Sequence, residues 1–228
     1  MPTTARERAR AELTADILGL ARAQLATVGA AGLSLRAVAR ELGMVSSAVY
    51  RYFPSRDDLL TRLIIEGYDA AGAAAEEADD PAAPPAERWL AVCRAVRRWA
   101  LAHPHEYALL YGSPVPGYQA PPDTVPAAIR VGVVLGRVLG DAARAGLLPP
   151  ATGPAAGVVS PAAAAVMGGD APALDDAVRA RGLLAWSSLF GTISFELFGH
   201  FVGSVEDGDR YFDRAMDELA QLIGLPRG

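Results

Sequence analysis

The sequence predicts an all-α protein in two parts, an N-terminal three-helix unit built around a helix-turn-helix and a larger C-terminal helical bundle. Three observations predict this. Apolar residues recur at helical spacing along most of the chain, and no segment shows the strict alternation of a half-buried strand. Alanine, glycine and leucine dominate, with few β-branched runs and no internal repeat. The 228 residues are 51% apolar and 21% charged, enough to bury a real core and far from a disordered polyelectrolyte.

Leu13, Ile17, Leu20, Ala21, Leu25 and Val28 fall on one stripe of a first amphipathic helix, which Gly29 and Gly32 end. A short helix fits Ser34 to Leu42, with Ser34 as N-cap and Gly43 as its stop. Another fits Val45 to Phe53 and closes at Pro54. Ser55-Arg56-Asp57-Asp58 reads as a capping box that opens a longer helix, its acids favourably placed at the positive helix end. Residues 79–86 (DDPAAPPA) break the pattern, and helices follow at 86–102 and 104–111. Residues 112–123 form a proline-rich loop, and a helix runs from about Thr124 to Ala145. Residues 146–169 hold four prolines, five glycines and no charge, so they are expected to connect loosely. Two last helices fit about 172–203 and 207–224. The expected domains are residues 1–58 and 59–228.

The charge is uneven. The net charge is −5, and all 21 basic residues are arginine. Residues 1–56 carry eight arginines against four acids, a net of +4, which leaves −9 for the remainder. This suggests a small basic module on an acidic body, with chance clustering on a solvated face as the alternative. The lone thiol, Cys93, excludes an internal disulfide and a multi-cysteine metal site. No uninterrupted apolar run of spanning length is present, and the charged start MPTTARERAR lacks the apolar core of a secretory signal, so a cytoplasmic protein without membrane contact is expected.

Residues 34–53 (SLRAVARELGMVSSAVYRYF) concentrate the chemistry. Leu35, Val38 and Leu42 form the inner face of one short helix, and Val49 and Phe53 that of the next. Gly43 allows the tight turn between them, which makes a helix-turn-helix. The second helix then presents Ser46, Ser47, Tyr50 and Arg51 outward: hydroxyls and a cation suited to phosphates and base edges in a major groove.

The run A-x-E-L-G-x-x-x-x-x-x-Y-x-Y-F from Ala39 to Phe53, followed by P-S-R-D-D-L-L and preceded by G-A-A-G-L-S (29–34), resembles the DNA-binding domain of TetR-type transcriptional regulators over about residues 11–71. The resemblance implies that Ser34, Leu35 and Arg36 meet the DNA backbone and that Val45, Ser46, Ser47 and Tyr50 form the reading surface. Tyr52 stands where the family often has histidine, and it serves either the core or a phosphate. Arg56 stands where a backbone-contacting lysine is usual. Leu35, with Val38, Leu42, Val49 and Phe53, also reads as core.

A single module buries only about 600–1,000 Å² of protein surface on DNA, so a homodimer on a palindromic double-stranded operator is expected. The last two helices are apolar enough to form its four-helix interface, through Leu189, Ile193, Leu197, Phe201, Phe212, Met216 and Leu219, unless they are buried within one chain. The run WSSLFGTISFELFGHF (186–201), with HPHEYALLYGSPVPGY (103–118), resembles a C-terminal subtype of these regulators marked by Trp, His and Gly. Trp186 and Gly191 match, whereas Phe190 replaces the usual histidine. That resemblance implies a pocket for an apolar or aromatic inducer, with Trp99, His103, Tyr107, Tyr111, Tyr118 and Phe190 as candidate walls. Taken singly, Trp89, Trp99 and Phe195 read as core. Gly132, Gly136 and Gly140, four apart, leave room for close packing or for a space beside that helix.

The expected function is a repressor released by a small molecule, with a regulator acting without such a ligand as the alternative. Two rival classes stand beside it: a structural or adaptor protein whose helix-turn-helix serves interaction and not DNA, which duplex binding with a steep salt slope would exclude, and an enzyme. His103, His105 and His200 lack any nucleophile, phosphate-loop or HExxH context, so no catalytic residue, metal or cofactor is expected. Cys93 reads as a buried, inert thiol.

Overall fold

The computed structural model describes residues 4–149, 158–166 and 174–226. Its α-helices are α1 (Ala5–Val28), α2 (Leu35–Glu41), α3 (Ser46–Val49), α4 (Arg56–Ala78), α5 (Pro85–Ala102), α6 (Pro104–Tyr111), α7 (Val125–Ala128), α8 (Arg130–Arg144), α9 (Pro161–Val166), α10 (Asp176–Leu197) and α11 (Gly208–Ile223). Single 3-10 turns stand at Ala30–Gly32 and Pro122–Thr124. No strand occurs among the described residues, and the fold is all-α. The described residues divide into two compact units, Met1–Gly67 with His103–Thr124, and Tyr68–Ala102 with Val125–Gly228. Helix α4 contributes its first half to one unit and its second half to the other.

In the first unit, α1 starts on a reciprocal cap absent from the sequence reading. The Glu7 N–H donates to Thr4 Oγ1, and the Thr4 N–H donates to Glu7 Oε2 at 2.7 Å. Ile17, Ala21 and Leu25 bury the predicted stripe and Leu18 joins them, but Val28 at its end is 55% exposed. These residues meet Leu35, Val38, Ala39, Val49 and Phe53, closed below by Leu59, Leu60 and Leu63 of α4. At the start of α4, the Asp58 N–H donates to Ser55 Oγ, but the Asp58 carboxylate accepts from the Ser55 hydroxyl, not from its backbone N–H. The expected box is therefore half formed. Arg22 pairs with Glu66 of α4 and Glu106 of α6, and so ties three helices together.

In the second unit, α5 packs on α8 and α11, and α11 on α10. Buried in this unit are Trp89, Val92, Cys93 and Val96 of α5, Val134, Leu135, Val138 and Leu139 of α8, Leu189 and Ile193 of α10, and Phe212, Met216 and Ile223 of α11. The Trp89 indole N–H donates to the Met216 carbonyl at 3.0 Å, which satisfies the one polar atom that its burial would orphan. Cys93 is fully buried, and desolvation pushes its thiol well above the ordinary range. The native protein is accordingly expected to leave Ellman's reagent unreacted until denaturant is added. Release of one equivalent of thiolate from native protein would contradict this.

Three expectations change. The 124–145 helix is interrupted at Ile129, although that residue keeps helical backbone angles, its N–H reaching the Val125 carbonyl and its own carbonyl accepting from Val133. The connection expected at 146–169 contains α9: Ser160 Oγ accepts from the Ala163 N–H, Pro161 takes the first helical position, and four alanines follow. Residues 150–157 and 167–169 of that connection lie outside the described residues. The helix expected at 172–203 spans Asp176–Leu197, because Gly199 takes a left-handed φ of +78° and the His200 N–H turns back to the Phe195 carbonyl. Residues 172 and 173 lie outside the described set.

Candidate nucleic-acid interface and ligand cavity

The frame of the first short helix comes from α1. Gln24, buried near the end of α1, accepts the Ser34 N–H on its Oε1 at 3.0 Å. Ser34 Oγ in turn caps α2 by accepting from the Ala37 N–H. Gln24 has no signature in the sequence, since a lone glutamine on an amphipathic helix gives no sign of the distant backbone it will meet. Gly43 turns the chain with φ +66°, a conformation that a side chain would strain, and the Met44 N–H returns to the Ala39 carbonyl at 2.9 Å. Helix α3 is shorter than the expected Val45–Phe53, but backbone hydrogen bonds from Tyr50, Arg51, Tyr52 and Phe53 to residues three or four earlier continue its turns.

This frame sorts the predicted contact residues. Val45 is 72% exposed, Ser47 and Tyr50 are exposed and Ser46 is half-buried. Among the described residues the hydroxyls of Ser46, Ser47 and Tyr50 make no hydrogen bond within the chain. Arg36 is exposed beside the capped Ser34. The Leu35 side chain is 3% exposed and belongs to the core, which corrects its expected part in DNA contact: only its backbone lies at the α2 start. Arg56 also departs from expectation. Its Nη2 donates to the carbonyls of Ala30 at 2.7 Å and Ala31 at 3.1 Å, so its guanidinium holds the 30–32 turn to α4. Tyr52 is half-buried against the core, and the Arg10 guanidinium lies 5.4 Å above its ring.

The arginines divide by unit. Arg6, Arg8, Arg10, Arg36, Arg40 and Arg51 are exposed, and among the described residues none has a carboxylate within 4.0 Å. In the second unit Arg88 meets Asp79 and Asp141, Arg94 meets Asp213, Arg97 meets Glu196 and Asp209, and Arg130 meets Asp69 and Glu76. The first unit keeps Arg22 and Arg62 in ion pairs but leaves those six facing solvent, several of them beside the exposed hydroxyls, whereas Arg88, Arg94, Arg97 and Arg130 of the second unit are held by carboxylates of their own unit. Counterion release makes such unpaired cations effective toward phosphate.

A model described as bacterial regulatory proteins of the tetR family matches residues 17–63, and one described as a tetracyclin repressor-like C-terminal domain matches residues 89–219. The HTH-type transcriptional regulator Rv1816 of Mycobacterium tuberculosis is 44% identical over 211 residues, covering 86% of this chain and 85% of its own. The chain belongs to the TetR family. It is a DNA-binding transcriptional regulator of that family. The solved regulatory protein SCO4313 is 35% identical with a TM-score of 0.75, covering 96% of this chain and 100% of that one. RolR, solved with resorcinol, is 17% identical with a TM-score of 0.54 over 97% of each chain, a likeness of fold alone.

For the TetR C-terminal unit the sequence pointed to six aromatic or polar walls. Trp99 and Phe190 lie in the second unit, each 7% exposed. His103, Tyr107, Tyr111 and Tyr118 lie in the first, where Tyr107 is fully buried and the Tyr118 hydroxyl meets Thr61 Oγ1 at 2.9 Å. None of the six lines the apolar cavity of about 500 Å³ in the second unit. Its walls are Val125 and Ala128 of α7, Ile129, Gly132 of α8, Ala162, Ala163, Ala165 and Val166 of α9, and Leu183 and Trp186 of α10. No helix of the described residues is long and apolar enough to cross a membrane, and no group of three or more metal-ligating side chains is found among them.

The interface residues expected on the last two helices divide as well. Leu189, Ile193, Phe212 and Met216 are buried in the chain's own core, so their side chains are closed to a partner, and this corrects their assignment. Leu197, Phe201 and Leu219 are half-buried. Leu184, Phe195, Phe198, Val202, Tyr211 and Leu222 are the exposed apolar residues of this region. Phe195, expected in the core, is 52% exposed and stacks toward His200 and Phe201, the latter 5.0 Å from the Tyr211 ring.

Proposed function

We propose that this chain is a homodimeric repressor that holds a palindromic operator and leaves it when a small molecule binds its C-terminal unit. The carrying observation is the exposed, unpaired set of Ser47, Tyr50 and arginines on a glycine-turned α2–α3 pair in a TetR-family chain. Ser46, Ser47, Val45 and Tyr50 read base edges, while Ser34, Arg36, Arg40 and Arg51 supply the phosphate contacts that set register. The exposed band of Leu184, Phe195, Phe198 and Tyr211 supports dimerisation, since a monomer rarely leaves such a patch in water. The cavity supports release, and RolR, which shares the fold, is solved with resorcinol. Helix α4 contributes to both units and is the element whose position ligand binding would bias. A ligand acts here only through a difference in affinity between the two states.

The test is quantitative footprinting and anisotropy on an operator selected from random duplexes. Ser47→Ala and Tyr50→Phe are each expected to lose about 0.5–1.5 kcal/mol of operator binding, with the oligomer unchanged. Arg36→Ala should weaken binding to all sequences alike and lower the salt slope by about one. Full operator affinity in all three variants would remove α2–α3 as the reader.

A further inference from the structure

Resting on the ligand-release reading above, we infer that the cavity between α7, α8, α9 and α10 takes an uncharged, largely apolar compound with a single oxygen acceptor, an aryl ketone, ether or ester in class. At about 500 Å³ the cavity lies within the roughly 300–1,000 Å³ span of small-molecule sites. None of its ten lining residues among those described is charged. A carboxylate or ammonium entering it would lose hydration without gaining a partner from these walls. Among the described lining residues there is one side-chain donor, the indole Nε1 of Trp186, and it makes no hydrogen bond to any of the described residues. The Trp186 ring is braced edge-on by Phe190, with centroids 5.5 Å apart. A hydrocarbon would leave that N–H without an acceptor, and one carbonyl or ether oxygen would satisfy it.

Gly132 keeps the space open. A Cβ built there would lie 3.0 Å from Val166 Cγ1 and 3.9 Å from Trp186 Nε1, so any side chain grows directly into the cavity beside its one donor. Ala162, Ala163 and Ala165 do the same for α9, presenting a wall of methyl groups.

The experiment is isothermal titration calorimetry of the full-length protein with three matched probes: benzophenone, diphenylmethane, which lacks the acceptor, and 4-benzoylbenzoate, which adds a charge. Benzophenone is expected to bind, diphenylmethane about two- to tenfold more weakly, and 4-benzoylbenzoate without measurable heat. Trp186→Phe should erase the difference between the first two, and Gly132→Leu should abolish binding of both. Ala163→Leu is the second filling variant, should Gly132→Leu lose its helical circular dichroism. The proposal is overturned if benzophenone gives no heat, if the charged probe binds as well, or if a folded filled variant binds like the parent. Operator anisotropy with and without benzophenone separates the two readings: binding that obeys the variants but leaves operator affinity unchanged refutes release and retains the cavity assignment.

Discussion

Replacing Arg88 by methionine is expected to cost about 3–5 kcal/mol of folding stability, a large share of the roughly 5–15 kcal/mol that folded proteins have in hand. Arg88 and Asp79 have side chains only 3% and 1% exposed. The Arg88 Nε and Nη2 donate to the two Asp79 oxygens at 2.7 and 3.1 Å, a bidentate fork, and Nη1 reaches Asp141 of α8 at 2.8 Å. The hydrogen bonds to Asp79, with the one to Asp141, outweigh desolvation and hold the guanidinium still more firmly protonated. Methionine fills similar volume but leaves the Asp79 carboxylate buried with, among the described residues, only Arg137, 3.7 Å away, as a cationic neighbour. The cost thus falls on the charge left behind, and removing both partners should be far milder. Arg88→Met with Asp79→Leu is expected to recover most of the loss in urea unfolding, since Asp141 is partly exposed and keeps Arg144 at 2.9 Å. A single variant that loses under about 1 kcal/mol would show that the pair is not the buried fork described.

How far the sequence could be read depended on whether a pattern had one meaning. The stripe Ile17, Ala21, Leu25 and the turn at Gly43 have one each: an amphipathic face needs a core, and a left-handed turn between two short apolar helices needs glycine. Arg56 was read by its place beside a helix start, and the nearby Ala30 and Ala31 carbonyls claimed it first. Helix α9 was hidden because Ser160-Pro161 marks a break and a helix start alike. The cavity had only a weak signature: the glycine row at 132, 136 and 140 allowed either close packing or a space, and the remaining walls are mostly alanines and aliphatic residues whose one property is small or apolar bulk where four helices meet. The aromatic residues that looked like pocket walls are mostly filled in by their own surroundings, Tyr107 completely. Helix α10 is apolar on two faces, and periodicity alone does not say which of them meets its own chain. Leu189 and Ile193 point inward, and Leu184 and Phe195 outward.

That second face supports the other large prediction. If the proposed dimer forms through this face, Phe195→Glu with Phe198→Glu is expected to leave a folded monomer and to lower operator affinity by about 10²–10⁴-fold, the usual worth of joining two binding modules. Both side chains are about half exposed in the single chain, at 52% and 45%, so a carboxylate there remains hydrated in the monomer and costs the fold little. In a two-fold dimer the same positions face their copies or near-copies, where desolvated like charges repel. The face suits a second helix. On α10, Leu184, Ser188, Gly191 and Phe195 follow one another at helical spacing, and at Gly191 even an added Cβ would meet nothing within 4 Å. Larger residues thus flank a shallow centre into which a partner helix can settle. The loss of DNA binding would come without touching the reader, because each monomer keeps its α2–α3 pair but meets one half-site alone. Sedimentation velocity and operator anisotropy on the same samples decide the matter. A double variant that stays dimeric moves the interface elsewhere. A monomeric variant that holds the operator as tightly as the parent removes the requirement for two readers.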